Sequence, residues 1–252
     1  MKYVFKAVYN NSQELYSILE PITQLISYNV NIKIRESGIS IQEIDLDHEV
    51  SVDIFLDSKE FIQYSLTGEY DFGIDINDLC DILKMSDNKV EFLILKNKLR
   101  VKIYKGNREI NYIFKHKEYN NDNINPPDIN YNVSINMSIE ELNYIISEML
   151  VGCRHTSNIV FDISNKSICI RSDSKYKQRR NFLYDKKNVK LYPIEESFVM
   201  SYNIQLLSCL VSNIKKLNSG IYENVSLYIS DKTPLKLEFA NNRNIKLEYH
   251  IF

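Results

Sequence analysis

The sequence predicts an α+β fold made of two similar domains, each with several antiparallel strands and two helices. Three observations lead to this prediction. The order strand, helix, several strands, short helix, three strands occurs twice along the 252 residues. A polar segment that contains prolines separates the two occurrences. Each predicted helix has a single apolar face, which suits it to cover one side of an antiparallel sheet.

The first half begins with a strand and an amphipathic helix. Alternation predicts a strand over Lys2–Tyr9, and helical spacing predicts a helix over Ser12–Ile26 with Ser12 as its N-cap. Pro21 lies inside this helix, so we expect a kink or a shortened first half. Further strands are predicted over Asn29–Glu36, Gly38–Ile44, Glu49–Leu56, Phe61–Thr67, Lys89–Leu95, Leu99–Tyr104 and Glu109–His116, and a second helix over Asp75–Met85.

The segment between the two halves breaks the periodic pattern. The last three strands of the first half are separated by turn signals at Asn97-Lys98 and Gly106-Asn107. After them, Tyr119–Tyr131 is polar, contains Pro126-Pro127 and has no hydrophobic period, which predicts an extended connector. We therefore expect an N-terminal domain at residues 1–118, the connector at 119–131 and a C-terminal domain at 132–252.

The second half repeats the order of the first. A strand is predicted over Asn132–Met137, and a helix over Ser138–Leu150 starts with a sequence that fits a capping box. Further strands are predicted over Ile159–Ile163, Ser167–Arg171, Tyr176–Tyr184, Glu195–Tyr202, Val225–Ser230, Leu235–Ala240 and Asn244–Ile251, and a second helix over Asn203–Leu217. A repeat of about 125 residues is too long for a solenoid and is typical of a duplicated domain.

Composition and charge exclude several classes of protein. The formal net charge of −2 excludes a chain that is polycationic overall, so contacts with nucleic acid would need local positive charge. No apolar run approaches the ~20 residues of a membrane span, and the N-terminus lacks the apolar core of a secretion signal. We expect a protein that is neither secreted nor membrane-bound. The cysteines lack C-x-x-C spacing, which favours reduced thiols in a cytosolic or nuclear protein; they are Cys80, Cys153, Cys169 and Cys209.

No motif in the sequence indicates catalysis or metal binding. Asp71-Phe72-Gly73 is similar to the metal-binding motif of kinases, but neither a glycine-rich loop nor a catalytic loop accompanies it. The acidic residues do not have calcium-loop spacing, and the four histidines are isolated from one another. We therefore expect no enzymatic activity, no cofactor and no metal.

The stretch Gly38–Leu56 carries a family resemblance. It reads GISIQEIDLDHEVSVDIFL, which is two alternating strands joined by an acidic corner that contains His48. The second helix, DINDLCDILKM, and the final hairpin, TPLKLEFANNRNIKLEYHIF, agree with the same family, as does the position of the connector. Together these segments resemble proliferating cell nuclear antigen, the eukaryotic and archaeal DNA sliding clamp, over nearly the whole chain.

The resemblance implies a ring around duplex DNA, with sheets outside and two helices per domain lining the inside. Weak contacts to phosphates without base readout would permit sliding. The expected function is that of a DNA polymerase processivity factor in DNA replication and repair, with a homotrimer as the expected assembly. The implied partners are duplex DNA, DNA polymerase, other clamp-binding proteins and a clamp loader. The implied location is the nucleus or, for a viral protein, the site of viral DNA replication, including the cytoplasm.

The resemblance also implies a client-docking pocket and a subunit interface. Clients would insert aromatic anchors into an apolar pocket. The matching positions are Ile44, His48, Ile124, Pro126, Pro127, Ile129, Pro234, Tyr249 and Ile251. The interface would pair the edge strand Glu109–His116 with Tyr176–Tyr184 of the next subunit; the alternative is two solvated edges protected by charge. The candidate interface residues are Ile110, Tyr112, Phe114, Lys177 and Arg179.

The helix faces that would meet DNA are weakly basic. The candidate DNA-contacting residues are Lys84, Arg154, His155, Lys215, Lys216, Tyr16 and Tyr144. Acidic residues accompany them on the first three helices: Glu14, Glu20, Asp78, Asp81, Glu140, Glu141 and Glu148. We therefore expect low intrinsic affinity for DNA and a shallow dependence on salt.

Two other hypotheses remain open. The weak basic charge of the helices favours a clamp-fold protein with another role, such as a subunit of a checkpoint-type heteromeric clamp or a viral transcription or assembly factor. The third hypothesis is a non-clamp binding module or an enzyme. A structure without two similar halves would support it.

Overall fold

A computed structural model describes residues 3–26, 29–117, 129–151, 158–164, 167–173, 178–183, 189–191, 197–217, 222–240 and 244–252. Over these residues the chain forms four α-helices and eighteen strands. The described residues group into two compact units. The N-terminal unit draws on Met1–Asp47, Ser51–Pro126 and Asn241–Leu247, and the C-terminal unit on His48–Val50, Pro127–Ala240 and Glu248–Phe252.

The N-terminal unit contains two antiparallel sheets and two helices. Its elements are β1 (Phe5–Tyr9), α1 (Ser12–Leu25), β2 (Asn29–Arg35), β3 (Gly38–Ile44), β4 (Val50–Asp57), a 3₁₀ turn (Ser58–Glu60), β5 (Gln63–Leu66), β6 (Tyr70–Asp75), α2 (Ile76–Met85), β7 (Val90–Leu95), β8 (Lys98–Lys105) and β9 (Arg108–Lys115). One sheet has the order β5-β1-β7-β8-β9, and the other contains the neighbouring strands β6-β2-β3-β4. Apolar side chains of both sheets and both helices are buried and form its core, among them Phe5, Ile18, Ile54, Phe72 and Leu79.

The C-terminal unit has the same composition of elements. They are β10 (Val133–Ser138), α3 (Ile139–Leu150), β11 (Asn158–Ile163), β12 (Ile168–Asp173), β13 (Gln178–Leu183), β14 (Val189–Leu191), β15 (Phe198–Asn203), α4 (Ile204–Leu217), β16 (Asn224–Ile229), β17 (Leu235–Ala240) and β18 (Ile245–Ile251). One sheet contains the neighbouring strands β14-β10-β16-β17-β18, and the other has the order β15-β11-β12-β13. The first residues of β18, 245–247, belong to the N-terminal unit.

The two units share one topology. Replacing each strand of the N-terminal unit by the strand nine places later in the chain reproduces the strand orders of the C-terminal unit. The helices also correspond, since α1 and α3 each follow the first strand of their unit, and α2 and α4 each precede its last three strands. The α+β class and the duplication that the sequence predicts are therefore confirmed.

Two strands are absent from the sequence-based prediction, β6 and β14. In β6, Phe72 and Ile74 are buried, but Gly73 and the flanking aspartates obscure the alternation in the sequence. Strand β6 contains Asp71-Phe72-Gly73, so this kinase-like triplet is part of a sheet. Strand β14 has three residues that pair with β10, which is too short for a periodic signal.

The helix starts are set by N-caps, one of which differs from the prediction. Asn11 caps α1 instead of Ser12, because its Oδ1 accepts hydrogen bonds from the backbone N–H groups of Gln13 and Glu14 at 3.1 and 3.2 Å. The Ser12 hydroxyl donates to the Ser86 carbonyl at 3.1 Å. Helix α1 continues through Pro21 to Leu25, so it is not shortened there. Pro21 is buried, and its packing offsets the missing helical hydrogen bond.

The other three helices begin one residue after the predicted starts. The predicted first residues act as N-caps: Asp75 and Asn203 each accept a hydrogen bond from the N–H group two residues later. Ser138 Oγ accepts from the Glu141 N–H at 3.1 Å, which is the N-cap half of the predicted capping box. The turn predicted at Asn97-Lys98 lies one residue earlier, because Lys96 and Asn97 have φ of 45° and 59° between the paired strands β7 and β8, and Lys98 is already part of β8.

Candidate functional site

The corner between β3 and β4 exposes an apolar side chain that the sequence pattern did not single out. Strand β3 ends at Ile44 and β4 begins at Val50, which leaves residues 45–49 to form the corner. Ile44 is half-buried, whereas 85% of Leu46 is exposed. His48 is exposed and has a left-handed φ of 58°. The only sequence signal for Leu46 is that it stands between two aspartates in a turn, where an apolar residue has no packing role.

The final strand places the predicted tail residues inside the C-terminal unit. Tyr249 and Ile251 are buried in β18, where they pair with Leu237 and Leu235 of β17. The next residue, Phe252, is half exposed, and its backbone N–H donates to the Glu49 carbonyl at 3.0 Å. Of the other predicted pocket residues, Ile129 and Pro234 are half-buried, and Ile124, Pro126 and Pro127 lie outside the described residues. The exposed apolar surface of this strand end therefore comes from Phe252, which the sequence pattern missed.

Strand β9 is the outer strand of its five-stranded sheet, and within the described residues of that sheet it pairs with β8 alone. Its predicted interface residues Ile110, Tyr112 and Phe114 alternate on one face and are half-buried. On the opposite face, 62% of Ile113 is exposed. An outer strand of this kind offers a row of backbone donors and acceptors for pairing with another chain.

The exposed face of β9 also carries a fixed negative charge. Glu109 accepts a hydrogen bond from the Asn111 side-chain amide at 3.3 Å and forms an ion pair with Lys102 at 3.2 Å. Asn111 and Lys102 lower the pKa of Glu109 below its ordinary value of 4.5. Glu109 is therefore ionised at neutral pH.

Strand β13 is the outer strand of the four-stranded sheet of the C-terminal unit. Its register with β12 places Arg179 opposite Ser172 and Arg180 opposite Arg171. Lys177, the other predicted interface residue of this edge, lies outside the described residues. Among the described residues, β9 and β13 are thus outer strands of different sheets, as the family resemblance implies.

Two predicted DNA-contacting residues lie together on α1 and α2. The ammonium of Lys84 is 6.0 Å from the centre of the Tyr16 ring, at the limit of a cation–π contact. Burial, followed by the charge of Glu20, raises the pKa of Tyr16, so its hydroxyl stays protonated at neutral pH. On α3, 63% of Tyr144 is exposed, and its hydroxyl donates to Glu148 at 3.3 Å.

The described helix surfaces carry more exposed acid than base. The exposed acidic residues are Asp78, Asp81, Glu140 and Glu141, and Lys84 is also exposed. Lys215 and Lys216 lie in the last turn of α4, whereas Arg154 and His155 lie outside the described residues. Glu14, which the sequence placed among the acidic residues of α1, is buried.

The described part of the chain lacks the side-chain clusters that bind metals. No group of three or more histidine, cysteine, aspartate or glutamate side chains among the described residues could hold a metal ion. No described helix is long and apolar enough to cross a bilayer.

Comparisons with known proteins agree with the fold. The family model of the proliferating cell nuclear antigen N-terminal domain matches residues 4–130. The chain is 24% identical to DNA polymerase sliding clamp 1 of Sulfolobus acidocaldarius, with 97% of each chain covered. It is 19% identical to the DNA polymerase sliding clamp of Pyrococcus horikoshii, over 93% of this chain and 92% of that protein.

A solved structure extends this likeness to the fold of the whole chain. The crystal structure of proliferating cellular nuclear antigen from Entamoeba histolytica matches with a TM-score of 0.83 and 15% identity, covering 99% of this chain and 98% of that one. The family match alone spans half of the chain, and the duplicated topology continues through the other half. The chain therefore belongs to the proliferating cell nuclear antigen family, of which it is a divergent member.

Proposed function

We propose that this protein is a DNA sliding clamp, a homotrimeric ring that encircles duplex DNA and holds a DNA polymerase and other clients on it. The observation that carries the proposal is the repeated topology together with two different outer strands. Strand β9 ends a five-stranded sheet of the N-terminal unit, and β13 ends a four-stranded sheet of the C-terminal unit. A chain with two different complementary edges makes head-to-tail contacts, which close into a ring when the rotation allows. The protein acts as a scaffold and not as an enzyme.

The proposed ring interface pairs β9 of one subunit with β13 of the next. Backbone hydrogen bonds would join the two outer strands. The half-buried residues Ile110, Tyr112 and Phe114 would become buried on one face of β9. Lys177 and Arg179 would lie on the partner edge.

The proposed DNA surface consists of the helix residues Lys84, Tyr16, Tyr144, Lys215 and Lys216, with Arg154 and His155 after α3. Protonated tyrosine hydroxyls donate hydrogen bonds to phosphates without reading sequence. A closed ring retains DNA topologically, so the few cations of these helices suffice for a sliding complex.

The proposed client surface includes the exposed residues Leu46, His48 and Phe252, in addition to the residues that the sequence predicts. Those are Ile44, Ile124, Pro126, Pro127, Ile129, Pro234, Tyr249 and Ile251. In this proposal residues 1–118 and 132–252 form the two clamp domains, and residues 119–131 connect them. The protein acts where DNA is replicated, together with a polymerase, further clamp-binding proteins and a clamp loader.

The first experiment measures solution mass over a series of protein concentrations. A ring has about three times the chain mass of 29.7 kDa. Replacing Ile110 and Phe114 by aspartate places two charges in the proposed interface, so the variant is expected to be a folded monomer. A ring can thread onto a linear template from its end, so adding the wild-type ring to a polymerase on a primed linear template is expected to lengthen the DNA made each time the polymerase binds. A wild-type chain that remains monomeric at every concentration contradicts the homotrimer.

The exposed acidic residues of the helices favour one second candidate, a clamp-fold subunit that works in a heteromeric ring or in another DNA transaction. Asp78, Asp81, Glu140 and Glu141 would repel phosphates in a homotrimer, where each is present three times. A heteromeric ring dilutes this repulsion with more basic subunits. The same mass experiment distinguishes the two candidates, because a heteromeric subunit stays monomeric until its partners are added.

A further inference from the structure

The shared topology makes each strand of one unit the counterpart of a strand in the other, and matching apolar residues within the paired strands gives the counterparts of single residues. Ile39 and Ile41 of β3 match Ile168 and Ile170 of β12 in spacing. Ile41 pairs with Ile54, and Ile170 pairs with Asn181, so the preceding residues, Asp53 of β4 and Arg180 of β13, are counterparts. The pairs Leu99–Phe114 and Leu235–Ile251 are equivalent in the same way. Phe114 of β9 is therefore the counterpart of Ile251 of β18. The residues five positions before them, Glu109 and Lys246, are counterparts as well.

The N-terminal unit contains an ion pair between two of these positions. Lys246 Nζ lies 2.8 Å from the carboxylate of Asp53, whose side chain is largely buried. The backbone N–H of Asp57 donates to the Asn244 carbonyl at 3.2 Å, so the segment that starts β18 lies beside β4. Within the N-terminal unit, this ion pair therefore joins β4 to the start of β18, and these two strands are the counterparts of β13 and β9.

The counterparts carry the opposite charges. Arg180 occupies the position equivalent to Asp53, and Glu109 occupies the position equivalent to Lys246. The reversal extends to a third position, where Lys102 of β8 is the counterpart of Glu238 of β17. Glu238, Lys246 and Asp53 are an acid, a base and an acid. Their counterparts Lys102, Glu109 and Arg180 are a base, an acid and a base. Lys102 and Glu109 form an ion pair at 3.2 Å.

We propose that Glu109 of one copy of this chain forms an ion pair with Arg180 of the next copy when β9 and β13 pair. This inference rests on the ring proposed above and names the charge pair that selects the partner edge. The reversed order disfavours wrong pairings, since a β13 edge placed against a second β13 edge brings the arginines of both copies together. The charges therefore favour the head-to-tail contact that a ring requires over a two-fold dimer.

Reversal of each charge and of both together tests the pair. We expect Glu109→Arg and Arg180→Glu each to raise the protein concentration at half-maximal trimer formation by at least about tenfold. The double variant Glu109→Arg/Arg180→Glu restores opposite charges and is expected to return to within about threefold of wild type. Lys98→Glu makes the same charge change as Arg180→Glu on the exposed start of β8 and is expected to leave the trimer unchanged.

The outcomes separate this inference from the proposed ring. A wild-type trimer that persists unchanged in both single variants overturns the ion pair and leaves the ring intact. A folded double variant that stays as weak as the single variants also overturns it, because the two charges then do not meet. A wild-type chain that never forms a trimer overturns the ring itself. Thermal melting of each variant, and the milder Glu109→Gln, separate loss of assembly from loss of folding.

Discussion

Single residues at the corner and tail show what sequence reasoning can and cannot find. His48 was predicted because its position in a family pattern is local in the sequence, and the structure places it exposed at the corner. Tyr249 and Ile251 are buried, whereas their neighbour Phe252 is half exposed. Exposure at a strand end depends on which neighbouring segments cover it. Alternation alone therefore does not distinguish a buried tail residue from an exposed one.

Tyr131 gives a residue-scale prediction about alkaline stability. Burial, and then the charge of Glu248, raises its pKa to about 12 from an ordinary 10.0. A raised pKa in the folded state means that the contribution to stability is complete below pH 10 and is lost as pH rises towards 12. We expect the free energy of unfolding of wild type to fall by about 1–2 kcal/mol more than that of Tyr131→Phe over this range. Urea denaturation at about pH 9 and about pH 11 measures this difference. Equal decreases in both proteins would contradict the assignment to Tyr131.

At the scale of elements, local signals predicted helices better than strands. The three helices with a predicted cap-like residue at their start begin one residue later than expected, because N-caps act within one turn. Strands β6 and β14 were missed because Gly73 and its flanking aspartates interrupt the alternation of β6 and because β14 has only three residues. The edge positions of β9 and β13 agree with the prediction, which came from the family resemblance.

The pairing of β3 with β4 gives a prediction at the same scale. Gly38 has φ of 153°, and a Cβ at this position would lie 2.1 Å from the Leu56 carbonyl oxygen on β4. Gly38→Ala must therefore push the two strands apart, and we expect a loss of about 2–4 kcal/mol of unfolding free energy. Chemical denaturation with an unchanged m-value would measure this loss.

A glycine in open space provides the control. Gly106 has φ of 53°, and a Cβ at this position would have no neighbouring atom within 4 Å. Asparagine tolerates this φ, so Gly106→Asn is expected to change stability by less than about 1 kcal/mol. If Gly38→Ala unfolds at the same denaturant concentration as Gly106→Asn, the close approach of the two strands is not what requires glycine at position 38.

At the scale of the whole molecule, duplication is the feature that the sequence predicted most completely. Its two halves share little obvious identity, yet the order of apolar periods is the same, and order determines which strands become neighbours. The charge reversal between Asp53 and Arg180 could not be read from the sequence alone, because it depends on the register of both sheets. In the proposed ring, complementary charges on the outer strands select which edges pair.

A further prediction concerns how the proposed ring holds DNA. The exposed acids of the helices leave few cations to release counterions, so the logarithm of DNA affinity is expected to fall with the logarithm of salt concentration with a slope of about −2 to −4. Once a clamp loader has placed it on closed circular DNA, a ring that holds DNA topologically is nevertheless expected to stay there at salt concentrations that release it from linear DNA. Retention on bead-bound circles, before and after linearisation by a nuclease, measures this difference.

Matched variants connect the salt dependence to particular helices. Lys215→Glu/Lys216→Glu on α4 is expected to weaken binding to linear DNA at low salt by about tenfold. It is also expected to make the salt slope shallower by about 1.8, the change that corresponds to two fewer phosphate contacts. Lys98→Glu/Arg100→Glu on β8 makes the same charge change and is expected to have little effect, because sheets face away from DNA in the proposed ring. Asp78→Lys/Asp81→Lys on α2 should steepen the slope. If the β8 variant weakens binding as much as the α4 variant, DNA meets the sheets and the proposed orientation of the helices is wrong.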